Sequence, residues 1–115
     1  MEFTESLKKN EDFRKVYRTG KSYANKYLVM YIRRNSTDKN RLGISVSKKV
    51  GNSVIRNRLT RLVRESYRLS EDSILKGFDI VIVVRRNARD ISYLEMKSAL
   101  LHLVKIHRIE NNRNS

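Results

Sequence analysis

The 115-residue sequence contains no cysteine, no proline and no tryptophan. Without cysteine, disulfide bridges and thiolate-ligated zinc sites are excluded, which suits a reducing compartment. Long apolar runs are also missing. The longest aliphatic run covers only residues 80–84, far too short for a membrane span, and residues 1–9 lack the apolar segment of a signal peptide. The sequence therefore predicts a cytoplasmic protein without a membrane segment.

Acidic residues and histidines are few and scattered along the chain. There are 12 acidic residues against 26 lysines and arginines, and the two histidines, His102 and His107, lack a metal-ligand spacing. No group of carboxylates is predicted to converge as two-metal nucleases require, and neither Gly43 nor Gly51 belongs to a nucleotide-binding glycine motif. We therefore expect no catalytic side chain and no metal site on the protein. His107 shares an apolar helical stripe and is expected to be structural.

Positive charge is what the chain has in excess. Its formal net charge is +14, which leaves the free protein self-repelling unless a polyanion neutralises it. RNA or DNA is the first partner that such a charge suggests. The length and a hydrophobic content of 39% suit one domain with a modest core.

The charge is most concentrated in residues 48–68, which read KKVGNSVIRNRLTRLVRESYR. At about 100° per residue, this segment forms an amphipathic helix with an aliphatic arc and an opposite arc that is almost purely cationic. Asn52 is predicted to cap it. Because Arg56 and Arg58 point roughly 200° apart, one surface cannot use both equally, which leaves pairing with Asp or Glu as the alternative for one of them. A membrane surface is a less favoured partner, since the apolar arc lacks bulky aromatic residues.

Hydrophobic periodicity predicts one α+β domain with the element order α-β-β-α-β-α. The predicted elements are a helix from an Asn10 cap to Gly20, a strand over 21–34 with a break near 24–25, a strand over 42–47, the basic helix, a buried strand over 78–84 and a helix opened by a capping box at 92–95. In the strand 42–47, Gly43 is predicted to face outward. The strand–helix–strand segment requires at least two parallel strands. Residues 1–8 and 109–115 of the single domain 1–115 are expected to be flexible.

Several sequence blocks resemble the bacterial ribonuclease P protein subunit. The central ones are KKVGN at 48–52, IRNR at 55–58 and RLVRE at 61–65. The flanking ones, in matching order and spacing, are LKKNEDF at 7–13, RLGISVS at 41–47 and FDIV at 78–81. The similarity covers residues 7–107, nearly the whole chain.

This resemblance implies both a fold and a function. The fold would be an α-β-β-α-β-α sandwich with a mixed sheet of about four strands. Its βαβ crossover would be left-handed, as in the second domain of a small-subunit ribosomal protein, against the general right-handed rule. The function would be that of the protein subunit of ribonuclease P, which binds the catalytic RNA subunit and the single-stranded 5′ leader of precursor tRNA. Cleavage of the leader and Mg²⁺ binding would fall to the RNA subunit and substrate, and no obligate protein partner is expected.

The resemblance also assigns residues to two RNA surfaces. The residues implied to bind the RNA subunit are Lys48, Lys49, Asn52, Arg56, Asn57, Arg58, Arg61, Arg64 and Arg68. The residues implied to bind the leader are Lys9, Phe13, Tyr17, Val29 and Tyr31. Thr60 departs from the family pattern, because a basic residue is usual at its position, so one phosphate contact of the family is not assured here.

Alternatives to these assignments stay open. Phe13 and Tyr17 lie at helical spacing with Val16, which is also the pattern of core residues. A general RNA-binding protein of the ribosomal type would need the basic helix but not the aromatic surface, so this surface distinguishes the two functions. A stand-alone nuclease would need the carboxylate cluster that the sequence does not predict.

Overall fold

The structure, a computed structural model, describes residues 1–111. Its elements are β1 (Thr4–Ser6), α1 (Asn10–Thr19), β2 (Lys21–Ala24), β3 (Leu28–Arg34), β4 (Asn40–Ser45), α2 (Ser53–Ser70), β5 (Phe78–Val84) and α3 (Tyr93–Ile106), with 3₁₀ turns at Glu71–Ser73 and Arg86–Ala88. The strands form one sheet in the order β1-β4-β5-β3-β2. Strand β4 pairs in parallel with β1 and β5, whereas β3 is antiparallel to β5 and β2. The α+β class, the mixed sheet and the parallel crossover through α2 are therefore confirmed.

Strand β1 is the main departure from the predicted fold, because it raises the number of strands in the described chain from about four to five. It lies within the segment 1–8 that was expected to be flexible. Its three residues pair with β4, Leu7 beyond them is only 5% exposed, and the Glu71 carboxylate accepts hydrogen bonds from the amides of Glu2 and Phe3, at 2.8 and 3.4 Å. Residues 4–7, which were expected to be flexible, are thus paired with the sheet or buried in this structure. A three-residue strand carries no readable pattern, and its partners lie far along the chain.

The end of the chain shows a similar departure. Ile109, within the segment that was expected to be flexible, is 2% exposed, and Glu110 forms an isolated β-bridge with Ile74. Residues 112–115, which share that expectation, lie outside the described residues. His107, just before, behaves as predicted: it is buried, and its Nε2 donates to the Met30 carbonyl at 2.8 Å. Burial lowers the pKa of this imidazole.

Helices cover both faces of the sheet because strand residues alternate between them. Helices α2 and α3 pack on the face that carries Leu28 and Met30, which forms the larger core. Helix α1 packs on the opposite face, where its fully buried Val16 meets Val81 in a smaller core. The smaller core leaves part of this face accessible, since Val29 is only partly buried.

The ends of α1 differ slightly from the prediction. Lys9, not Asn10, occupies the N-cap position, and its side chain makes no capping hydrogen bond. Gly20 ends the helix as predicted, with its amide bonded to the Val16 carbonyl at 2.8 Å. A Cβ at Gly20 would lie 2.5 Å from that carbonyl oxygen and 2.8 Å from the one of Ile32, so close backbone approach requires glycine here.

Candidate RNA interface

Helix α2 presents its basic arc to solvent because its opposite arc is bound to the sheet. Leu59, Val63 and Tyr67 are fully buried beneath it. The side chain of Asn52 caps its N-terminus by accepting the Ile55 amide at 3.0 Å, which confirms the predicted cap. That bond uses one of the two lone pairs of the amide oxygen, and the Asn52 NH₂ group, which has no partner within residues 1–111, remains able to donate to a phosphate.

Asn57, Arg61 and Arg64 are exposed and form what we call the basic face of α2. Among residues 1–111, none of these three side chains has an intramolecular hydrogen bond or ion pair. A guanidinium in this state can direct its planar fork of donors toward phosphate oxygens. The basic face therefore has the chemistry of a phosphate-binding surface.

Of the remaining arginines of α2, Arg58 and Arg68 are engaged with other residues of the described chain, whereas Arg56 is not. Arg58 donates to the Ile91 carbonyl at 2.6 Å and to the Arg89 carbonyl at 3.4 Å, in the loop before α3. Of Arg56 and Arg58, Arg58 is thus the one that is bound within the protein. Its partners are backbone carbonyls, and not the Asp or Glu side chain expected as the alternative from the sequence. Arg68 pairs with Glu65 at 2.5 Å and lowers the pKa of that exposed carboxyl. Arg56 is partly buried, and its Nε has no partner among the described residues.

The lysines implied for the same surface lie elsewhere. Lys48 and Lys49 are exposed in the turn between β4 and α2, at the end of the sheet. The structure therefore does not gather all the sequence-derived cations on one face. The basic face is the part of the implied RNA-subunit surface that lies on α2 and has no internal partner among residues 1–111.

Three aromatic rings from α1 and β3 form what we call the aromatic cluster: Phe13, Tyr17 and Tyr31. The centroids of Phe13 and Tyr17 are 6.3 Å apart, and Tyr17 meets Tyr31 edge to face at 4.9 Å. Tyr17 is 39% exposed, whereas Phe13 and Tyr31 are partly buried against the smaller core. The cluster therefore has a packed side and an open side.

The other residues implied for leader binding border this cluster. Val29 lies two positions before Tyr31 on β3, on the same face of the sheet, and is partly buried. Lys9 is exposed at the N-cap of α1. Rings beside an apolar strand residue and a cation make a surface on which unpaired bases can stack.

The Phe13 ring of the cluster packs directly on the backbone of Gly43, a contact that the sequence pattern did not predict. Gly43 was expected to face outward, but it is buried, and a Cβ added to it would lie 2.6 Å from Cζ of Phe13. The missing side chain is what lets the Phe13 ring lie on β4. A glycine inside a strand often marks such a close approach, and this was the signal available in the sequence.

A cavity of about 190 Å³ joins the aromatic cluster to α2. Its lining includes Phe13 and Leu7, Thr60 and Arg64 of α2, and the oppositely charged Lys8 and Glu5 of the N-terminal segment. The Thr60 hydroxyl donates to the Arg56 carbonyl at 2.9 Å, so the residue that departs from the family pattern is held against its own helix. Phe13 and Arg64 thus belong to two predicted RNA surfaces that share one cavity.

Other kinds of site are not evident in the described part of the chain. Within residues 1–111, no three His, Asp or Glu side chains come together as ligands of a metal ion would. Among the helices of the same residues, none combines the length and the apolar character needed to cross a membrane.

Comparison with known proteins identifies the family. The model of the ribonuclease P family matches residues 1–108. The ribonuclease P protein component of Lachnoclostridium phytofermentans is 58% identical over 106 residues, covering 92% of this chain and 91% of the relative.

Two solved structures agree with this assignment. The RNase P protein of Staphylococcus aureus has a TM-score of 0.85 at 41% identity, covering 92% of this chain and 97% of that one. The RNase P protein of Thermotoga maritima has a TM-score of 0.83 at 39% identity, covering 93% and 99%. Sequence and fold agree, and the chain belongs to the ribonuclease P family as the protein component of this tRNA-processing enzyme.

Proposed function

We propose that the protein holds the RNA subunit of ribonuclease P on the basic face of α2 and the 5′ leader of precursor tRNA on the aromatic cluster. The observation that carries this proposal is the cavity that Phe13 and Arg64 both line. A single strand that lies across the cluster would have its phosphates next to an arginine without an internal partner. Stacking platforms flanked by cations bind single strands with little sequence preference, as leaders of varied sequence require.

In this proposal the RNA subunit carries out endonucleolytic removal of the leader, with Mg²⁺ held by RNA and substrate. The family resemblance implies this division of work. It is supported by the acidic groups beside the two surfaces, which form ion pairs within the protein: Glu65 pairs with Arg68, Asp12 with Arg41, and Glu5 with Lys39. The protein would act in the cytoplasm, where precursor tRNA is made and processed in bacteria.

Reconstitution tests this function directly. The protein alone is expected not to cleave precursor tRNA, whereas adding it to a bacterial ribonuclease P RNA should restore leader removal at a magnesium concentration where the RNA alone is nearly inactive. The physical reason is that its cations reduce the repulsion between two polyanions that Mg²⁺ otherwise has to screen. Gel separation of leader and mature tRNA measures the rate. Cleavage by RNA-free protein at the rate of the holoenzyme would contradict the proposal.

The basic face can be tested through the salt dependence of binding. Replacing Arg61 and Arg64 with alanine should weaken assembly with the RNA subunit and flatten the slope of log affinity against log salt by roughly one unit per lost phosphate contact. Filter binding over a salt series measures both quantities. Folding should survive, because both side chains are exposed on the arc away from Leu59.

A matched control for this variant removes two lysines of α3, Lys97 and Lys105, and thus the same net charge. If binding depended on net charge alone, the control and the Arg61/Arg64 variant would lose the same affinity. An unchanged slope in the Arg61/Arg64 variant would show that these arginines only solvate the helix.

A further inference from the structure

A second basic concavity lies at the end of the sheet, apart from the basic face of α2 and the aromatic cluster. Of its lining residues, only Lys49 is among those that the family resemblance implied for RNA-subunit binding. The parallel strands β4 and β5 end side by side, with Ser45 paired to Val83 in their register. The chain leaving them encloses a crevice of about 420 Å³, lined among others by Ser47, Lys49, Arg85 and Arg86. In open sheets with parallel strands, ligands commonly bind outside the carboxyl ends of the strands.

Positive charge dominates this crevice. Lys49, Arg85 and Arg86 are exposed, and its lining contains no carboxylate. Within residues 1–111, none of the three forms an ion pair. Arg85 donates to the Asn25 carbonyl at 2.7 Å, which orients its guanidinium but leaves the charge uncompensated. Three neighbouring cations repel one another until an anion enters between them.

The two loops that carry these cations are anchored to the core. In the loop after β4, Val50 is 5% exposed, and its amide bonds to the Ser47 carbonyl at 3.0 Å. In the loop after β5, Ala88 is fully buried, and the Arg85 amide bonds to the Tyr27 carbonyl at 2.8 Å. The backbone positions of the cations are therefore set before a ligand arrives, which lowers the entropy cost of binding.

We propose that this crevice binds phosphate groups of the RNA subunit, with Arg85 and Arg86 as contacts added to those of α2. The RNA subunit is favoured as the source of the phosphates because the crevice continues the proposed interface: Lys49 lines it three residues before the Asn52 cap of α2. The guanidinium forks of the arginines suit paired phosphate oxygens, and the Ser47 hydroxyl adds a neutral donor. This inference rests on the proposed function and extends its interface to the loop after β5.

The substitution Arg86→Gln tests the crevice without disturbing its walls, because the Arg86 side chain has no intramolecular partner among the described residues. We expect the affinity for ribonuclease P RNA to fall about fivefold and the salt slope to flatten by about one unit. Arg86→Lys should restore the slope, since it keeps the charge. The matched control Lys105→Gln removes one exposed cation from α3 and should change neither quantity by as much. Melting curves of all variants establish that they fold.

The possible outcomes separate the inference from the proposed function. If the unmodified protein fails to bind or activate the RNA subunit, the proposed function falls and the crevice assignment with it. If the unmodified protein binds but Arg86→Gln behaves like Lys105→Gln, the crevice assignment alone is overturned. If RNA-subunit affinity is unchanged while the reconstituted holoenzyme loses affinity for precursor tRNA, the phosphates belong to the substrate. That result would overturn the assignment to the RNA subunit.

Discussion

Replacing Tyr17 with alanine is expected to weaken binding of precursor tRNA with a long leader by at least several-fold, while binding of mature tRNA stays almost unchanged. Tyr17 is the most exposed ring of the aromatic cluster and stands edge to face on Tyr31 at 4.9 Å. Each stacked base contributes about 1–3 kcal/mol on alanine substitution. Mature tRNA has no leader, so it cannot lose this contribution. The measurement is the ratio of precursor to mature affinity in the reconstituted holoenzyme.

Tyr23 offers a matched control for this experiment. It is 37% exposed, close to the 39% of Tyr17, but its ring contacts His107 at 4.8 Å on the opposite side of the sheet. Tyr23→Ala should leave the precursor-to-mature ratio unchanged. If Tyr17→Ala preserves the ratio and lowers only the melting temperature, the cluster is part of the core. The protein would then fit a general RNA-binding function better than leader recognition.

Removing the Asp79 carboxylate should cause the largest loss of stability. Asp79 is 1% exposed, and Arg41 donates to its two oxygens at 2.8 and 2.6 Å. Asn35 adds a third hydrogen bond at 3.0 Å. Breaking a buried pair by deleting one partner costs about 3–5 kcal/mol, and the lower end applies because the Arg41 side chain is 33% exposed. Asp79→Ala should thus lower the melting temperature by about 10 °C.

The control for this variant is Asp38→Ala, which deletes an exposed carboxylate in the turn between β3 and β4. Surface substitutions of this kind usually change stability by less than about 0.5 kcal/mol. Calorimetric melting of both variants makes the comparison. Equal melting temperatures for Asp79→Ala and Asp38→Ala would show that the Asp79 network contributes little. Arg41 also lies 3.4 Å from Asp12 of α1, so the same network helps to hold the helix that carries Phe13 and Tyr17.

The stabilisation by Asp79 should depend on pH. Burial alone raises the pKa of Asp79, but the hydrogen bonds from Arg41 and Asn35 outweigh it and hold the pKa below its ordinary value. Since the pKa is lower in the folded than in the unfolded state, the contribution is complete above about pH 4 and is lost as the pH falls through the folded-state pKa. The stability difference between the natural protein and Asp79→Ala should shrink in that range. A difference that stays constant down to pH 2 would contradict this account.

The sequence by itself determined the features that depend on neighbours along the chain. The aliphatic arc of α2, its Asn52 cap and the Ser92–Glu95 capping box are all present as predicted. These are readable because helical periodicity and capping involve residues within one or two turns. The blocks around residues 48–65 indicated the family, and with it the mixed sheet.

Only the tertiary structure decided which side chains are available for binding. Local pattern does not show that Arg58 is held by carbonyls of the loop before α3, or that the Phe13 ring covers Gly43. Strand β1 likewise depends on β4 and on Glu71, and the basic crevice forms only because β4 and β5 end side by side. Each of these features joins residues about 30 or more positions apart. Such contacts follow from the packing of the sheet and helices, which periodicity along the chain does not encode.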